Sequence, residues 1–156
     1  MIDLSAMIAF RHARPEDLPV IVAMLADDVL GQDREDPSLP LDPRYQHAFA
    51  AIAANPHQYL MVAEHNGEVI ATLQLTFMPG LSKIGAWRGV IEAVRVRADR
   101  RDLGLGSRLM GWAVETCRAK GCSVVQLSAD TRRADARRFY ERLGFEPTHV
   151  GYRLEL

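Results

Sequence analysis

Cysteine is scarce in this chain: only Cys117 and Cys122 occur among 156 residues. They are too few and too close together, across an apparent helix end, for a disulfide framework. His12, His47, His57, His65 and His149 are scattered, with no metal-ligand spacing to one another or to the cysteines. These features predict a reduced, cytoplasmic setting and no bound metal. Long apolar runs are also missing. None approaches the ~20 residues that cross a bilayer, and MIDLSAMIAF lacks the basic start and long apolar stretch of a secretory signal. No membrane partner is expected. Neither sign of charge is in excess: the formal net charge is −1, which argues against a generally basic nucleic-acid binder. Repeats and low-complexity tracts are absent. What remains is 48% apolar and 25% charged residues, an ordinary globular composition. The length suits one domain, 1–156, with residues 1–6 read as a leader before Met7.

Strand-like and helix-like segments alternate, which predicts a layered α/β or α+β domain. Residues 7–12 form a first strand. Pro15, Glu16 and Asp17 suit a helix start, and Leu18, Ile21, Val22, Leu25 and Val29 recur at helical spacing towards a stop at Gly31. Residues 31–43 carry three prolines and no apolar period, so they form a loop. A second helix spans 44–54. Asn66-Gly67 between two β-favouring runs is a strong hairpin signal. A strand over 86–97, interrupted or bulged near Gly89, leads to a helix over 106–119, a short buried strand over 123–129 and a helix over 134–143. The tail THVGYRLEL closes the order β-α-α-β-β-β-α-β-α-β as a last strand. The βαβ crossover in the second half should be right-handed.

The most informative stretch joins Val94, Arg95 and Val96 to a turn with two glycines, Gly104 and Gly106, and then to a helix. The first N–H groups of a helix lack internal partners and carry the positive end of its dipole. Glycines let a phosphate approach that backbone without meeting a Cβ. Arg100 and Arg101 add positive charge. A diphosphate is the natural ligand. The spacing does not suit a P-loop, which needs a longer gap and a Lys-Ser/Thr pair, nor a dinucleotide turn, which needs three glycines and an acidic residue on the next strand.

Arg101-x-x-Gly104-x-Gly106 after a Val-x-Val strand resembles the acetyl-coenzyme A motif of the GNAT superfamily. The run from Ala136 through Phe139-Tyr140-x-x-Leu143-Gly144-Phe145 resembles its second signature. The interval between them holds one helix and one strand, and the element order matches over nearly the whole chain. The resemblance implies a GNAT fold: a central mixed, mostly antiparallel twisted sheet of six to seven strands, about four flanking helices, and two splayed parallel strands, here 90–97 and 123–129. It implies acetyl-CoA as co-substrate. The pyrophosphate would lie on the backbone of Arg101, Asp102, Leu103, Gly104, Leu105, Gly106 and Ser107. The pantetheine arm would lie along Val94, Arg95 and Val96, with Arg133 and Ala136 touching the cofactor. Two positions depart from the family pattern: Asp102 stands where many members have Gly, and Arg133 where many have Asn. The Asp102 contact should therefore run through backbone alone.

Acetylating an amine requires removing its charge, stabilising the carbonyl oxygen and protonating the leaving thiolate. Tyr140 is the candidate acid, because a phenol stays protonated at neutral pH and the family commonly uses this tyrosine so. Glu92 is the candidate base. Strict alternation would put it on one face with Val94 and Val96, and burial would raise its pKa. The Val94 N–H would polarise the carbonyl, as the resemblance implies. The acceptor pocket is expected from the 29–45 loop, the second helix and the tail with Tyr152. Asp33, Glu35 and Asp36 could attract a cationic amine, although such runs are more often solvated surface. Trp87 and Phe77 fit core packing better than a pocket wall. The leading reading is an N-acetyltransferase acting on a primary amine of a small molecule in a ternary complex, working as a homodimer. The alternatives are a protein or peptide N-acetyltransferase and a non-catalytic acyl-CoA sensor.

Overall fold

The computed structural model describes residues 7–156; the expected leader, 1–6, lies outside them. Five strands form one sheet in the order β1-β2-β3-β4-β5: Ile8–His12, Gln58–His65, Glu68–Pro79, Trp87–Val96 and Cys122–Leu127. The first four pair antiparallel and β5 joins β4 in parallel. Four right-handed α-helices flank the sheet: α1 (Leu18–Ala26), α2 (Pro43–Ala54), α3 (Leu105–Ala119) and α4 (Ala134–Arg142). Ser82–Gly85 forms a short turn in which Lys83 and Ile84 are left-handed. Among the described residues, no helix is long and apolar enough to cross a membrane.

Local chemistry accounts for most of these elements. Asn66 and Gly67, with φ 51° and 79°, make the two-residue turn that the β2–β3 hairpin twist demands. Alternation then divides β3. Leu73, Leu75 and Phe77 enter the main core with Met61, Ile91, Leu109, Met110 and Cys117 under α3. Thr72, Gln74 and Thr76 face the α1–α2 side. Pro43 follows the N-cap Asp42, whose carboxylate accepts from the Arg44 N–H and starts α2. Arg11 ties β1 to the next turn and to β2, donating to Asp17 at 2.7 and 3.1 Å and to Glu64 at 2.8 Å.

Four expectations are corrected. Helix α1 stops at Ala26, because Asp27 leaves helical geometry at ψ 58°. Gly31 instead lets the chain curl back over the helix end, where a Cβ would meet the Leu25 carbonyl oxygen at 2.0 Å. β4 bulges at Ala93, where Ala93 and Val94 oppose Leu73 alone, and not at Gly89. Gly89 serves close packing: a Cβ there would lie 2.3 Å from Cys117 Sγ. Near Gly89 the only irregularity is on the β5 side, where pairing shifts between Trp87 and Arg88. The tail is extended but joins no strand among the described residues, so the sheet has five strands and not six or seven. Alternation determines which side chains share a side of a strand; it does not supply a hydrogen-bonding edge.

Cys117 and Cys122 are free thiols. Burial, then the neighbouring Cys122, pushes the Cys117 thiol from its usual 9.0 up to about 11. A pKa raised by folding contributes stability below pH 9 that is lost as pH rises towards 11, here up to about 3 kcal/mol. Urea denaturation at pH 8, 9.5 and 11 should therefore show a steeper alkaline loss in the wild type than in Cys117→Ala. Parallel losses would remove this thiol from the account.

Candidate active site

The bulge at Ala93 (φ 53°) organises the site. Cross-strand partners share a face. Gln74 pairs with Glu92 and Thr72 with Arg95, so Glu92 and Arg95 face the α1–α2 side. Val94 and Val96 pack against the main core on the α3 side. The expected grouping of Glu92 with Val94 and Val96 is thus overturned, because one extra residue inverts the alternation. Glu92 is exposed rather than buried.

Pairing between β4 and β5 ends at Ile91–Leu127, while β4 continues to Val96. Beyond that point the two strands leave a wedge. Arg97 donates its N–H to Ile70 on β3, so the alternate residues Val94 and Val96 turn their main-chain groups into the wedge. The Val94 carbonyl accepts from Arg95 Nη1 at 2.9 Å, and the Val96 carbonyl from Arg101 Nε at 3.2 Å.

The wedge opens towards the turn before α3. Asp102 and Gly104 are left-handed at φ 64° and 73°, a geometry that gathers successive N–H groups into a concavity. Gly104 is the N-cap of α3, and Leu105 anchors the helix start in the core. Gly106 has a packing reason of its own, because a Cβ would stand 3.2 Å from Phe139 Cζ. Leu103 and Asp102 are exposed, and Ser107 is exposed in the first helical turn. Arg101 turns aside to Asp27, with its Nη2 at 3.1 Å from the carboxylate. Arg100 lies within 3.9 Å of Glu68 and 3.8 Å of Asp99. The anion-attracting character of the turn therefore rests on its main chain more than on these two side chains.

Helix α4 supplies the other wall. Arg133 is its N-cap, Ala136 is half-buried one turn on, and Tyr140 packs between Phe139 and Phe145. Burial raises the Tyr140 pKa above its usual 10.0, and the nearby Arg133 and Arg95 charges only partly offset this. The phenol therefore remains a proton donor through neutral pH.

On the opposite face, α1, α2 and the sheet enclose a cavity of about 180 Å³. Leu18, Ile21, Tyr45, Phe49, Thr72, Gln74 and Ala93 are among its walls, so it reaches the bulge. A larger cavity of about 470 Å³ lies by Gln58, Phe77 and Lys120, towards the other end of the sheet. The smaller one adjoins the wedge. Tyr45 pins the loop over it, accepting from the Asp36 N–H at 3.0 Å and donating to Glu35 at 2.8 Å. Asp36 also accepts from Ser38, so two of the three loop carboxylates are engaged locally. Phe77 is core, and Trp87 packs on it beside His57. Tyr152 is fully exposed on the tail and is not part of the pocket. The residues missed by sequence reasoning are Ala93, Asp27 and Asp28. The only signal was an Asp-Asp pair at a helix end and two arginines alternating with valines on a central strand.

A helix start with gathered N–H groups beside a strand wedge, with a buried phenol on its wall, has the form of an acyl-transfer domain. Residues 23–145 match the Acetyltransferase (GNAT) family, and the chain belongs to it: it is an N-acetyltransferase that passes an acetyl group to an amine. The aminoalkylphosphonate N-acetyltransferase of Salmonella typhimurium is 30% identical over 151 residues, 96% of this chain and 92% of that protein. The L-methionine sulfoximine/L-methionine sulfone acetyltransferase of Pseudomonas paraeruginosa is 31% identical over 146 residues, 88% of this chain and 80% of that protein. A solved structure of a transcriptional regulator from Bacillus halodurans C-125 has a TM-score of 0.93 at 42% identity, covering 96% of this chain and 99% of its own.

Gly104→Val tests the turn. An added Cβ meets no protein atom within 4 Å, so packing is spared, while a β-branched residue disfavours φ 73° and distorts and crowds the concavity. Coenzyme A affinity should fall by about tenfold or more in calorimetry. Unchanged affinity would place the diphosphate elsewhere.

Proposed function

We propose that this chain acetylates a primary amine of a small molecule with acetyl-CoA, by direct attack in a ternary complex in the cytoplasm. The observation that carries this reading is the wedge. Val94 and Val96 offer main-chain groups to a pantetheine arm where β5 has parted from β4. The diphosphate then rests on the backbone of Arg101 through Ser107, and Arg133 and Ala136 flank the arm. The amine enters from the α1–α2 side through the small cavity beside Ala93. A volume of about 180 Å³ under a pinned loop suits a small molecule better than an extended peptide. The names of the Salmonella and Pseudomonas relatives point the same way.

The chemistry follows from the groups at hand. Glu92, exposed on the amine's side of β4, takes the ammonium proton through water. The nitrogen forms a bond to the acetyl carbon while the Val94 N–H stabilises the developing oxyanion. The carbon–sulfur bond breaks, Tyr140 gives its proton to the sulfur, and the second proton of the amine nitrogen leaves through water to restore the phenol, giving the neutral amide and free thiol. The raised Tyr140 pKa keeps that proton available through neutral pH. Tyr140→Phe should lower kcat by about 10² with coenzyme affinity retained, and Glu92→Gln should lower kcat with KM for the amine little changed. Unchanged turnover in either variant returns that residue to packing or surface.

The homodimer expected for this chain has a physical basis in the tail. Val150, Tyr152, Leu154 and Leu156 alternate and are all exposed, while Arg153 and Glu155 pair on the other side at 3.5 Å. β5 is the sheet edge, and its Val124 is exposed. A second copy's tail laid along β5 would complete both strands. The double variant Tyr152→Lys, Leu154→Asp should sediment as a monomer where the wild type sediments as a dimer; a monomeric wild type would end this reading.

A further inference from the structure

Arg95 is the least expected side chain in the molecule. It stands on a central strand with its side chain only 10% exposed. Its Nη2 lies 3.2 Å from Asp28 Oδ2, and Arg133 Nη1 lies 3.6 Å from the same oxygen. One carboxylate, itself 12% exposed, is thus shared by two guanidiniums. Arg95 Nε is buried without an acceptor among the described residues. Arg100 Nε is in the same condition but has the Asp99 carboxylate 3.8 Å away. A buried charge is expensive unless paired, and here half of the positive charge and one N–H are unmet. Burial lowers the Arg95 pKa, Asp28 opposes this, and Arg133 and Arg34 add to the lowering, as a locally under-compensated cluster requires.

The position of the cluster is specific. Arg95 pairs with Thr72, which lines the small cavity together with Ala93. Its guanidinium points to the α1 side of β4, where it meets Asp28, and it is within electrostatic reach of Tyr140. We propose that Arg95 and Arg133 receive an acidic group of the acceptor, so that the amine acetylated belongs to a short amino acid or aminophosphonate. This rests on the acetyl-transfer reading of the same site. A guanidinium fork suits both a planar carboxylate and a phosphonate. An acid held there brings a nearby amine to the wedge, while Asp28 keeps the two guanidiniums in place.

Three amines of similar length separate the possibilities: 2-aminoethylphosphonate, β-alanine and neutral 3-amino-1-propanol. Thiol release gives kcat/KM for each, and calorimetry on the coenzyme A-loaded protein gives binding independently of turnover. In the wild type an acidic amine should exceed the neutral one by about 10² in kcat/KM. Which acid leads distinguishes phosphonate from carboxylate. Arg133→Gln, at a side chain 37% exposed and safe for folding, should cut that preference about tenfold, and Arg95→Gln should cut it further. Binding of the acidic amine should weaken in the same order. Loss of binding in the variants without turnover of any amine would uphold the anion site and sink acetyl transfer to these amines. Equal use of the neutral amine by the wild type, or an acid preference that survives both variants, would overturn the proposal. So would variants that weaken only coenzyme A.

Discussion

The site depends on a single extra residue in β4. Ala93 occupies a left-handed conformation, and Ala93 with Val94 oppose Leu73 alone. Before the bulge, β4 is an ordinary central strand, paired on both sides. After it, the strand keeps β3 and loses β5, because a bulge increases local twist and turns the chain away from its parallel neighbour. The same residue inverts the alternation, sending Arg95 towards α1 and Val96 into the core. One backbone irregularity therefore opens the wedge, exposes main-chain groups within it and aims a guanidinium at the α1 side.

Both walls of that wedge are held by close contacts. On the α3 side two glycines act through absence: Gly89 admits Cys117, and Gly106 admits Phe139. A methyl group at Gly89 would force the Cys117 side chain to shift, and one at Gly106 would require Phe139 to give by a few tenths of an ångström. On the other side the end of α1 holds the arginines. Asp27 pairs with Arg101, and Asp28 with Arg95 and Arg133, so three segments far apart in sequence meet at one helix terminus. The negative end of the α1 dipole reinforces that meeting.

Opposed effects set the charge state of the site. Burial makes Tyr140 a weaker acid while neighbouring guanidiniums make it a stronger one, and burial prevails. Burial likewise disfavours the Arg95 charge, and among the described residues one carboxylate, Asp28, shared with Arg133, pairs with it. A protonated donor and an under-compensated cation thus stand side by side. That combination suits an acceptor that brings its own negative charge and a catalyst that must give up a proton to sulfur.

Much of this was readable along the chain. Asn66-Gly67 called for the hairpin, Pro43 and the apolar stripes for helices, and Arg101-x-x-Gly104-x-Gly106 with Phe139-Tyr140 for the family and the diphosphate turn. Each of these is a local pattern, satisfied by dihedral preference, periodicity or a helix end. The site-defining choices were not local. The bulge at Ala93 depends on how β4 meets Leu73 of another strand. The exposure of Glu92 follows from that register, the partners of Arg95 and Arg133 come from the end of α1, and the tail has the alternation of a strand but pairs with no strand among the described residues. Local conformation is encoded in neighbouring residues; register and charge pairing arise only when distant segments are brought together, and that belongs to the tertiary structure.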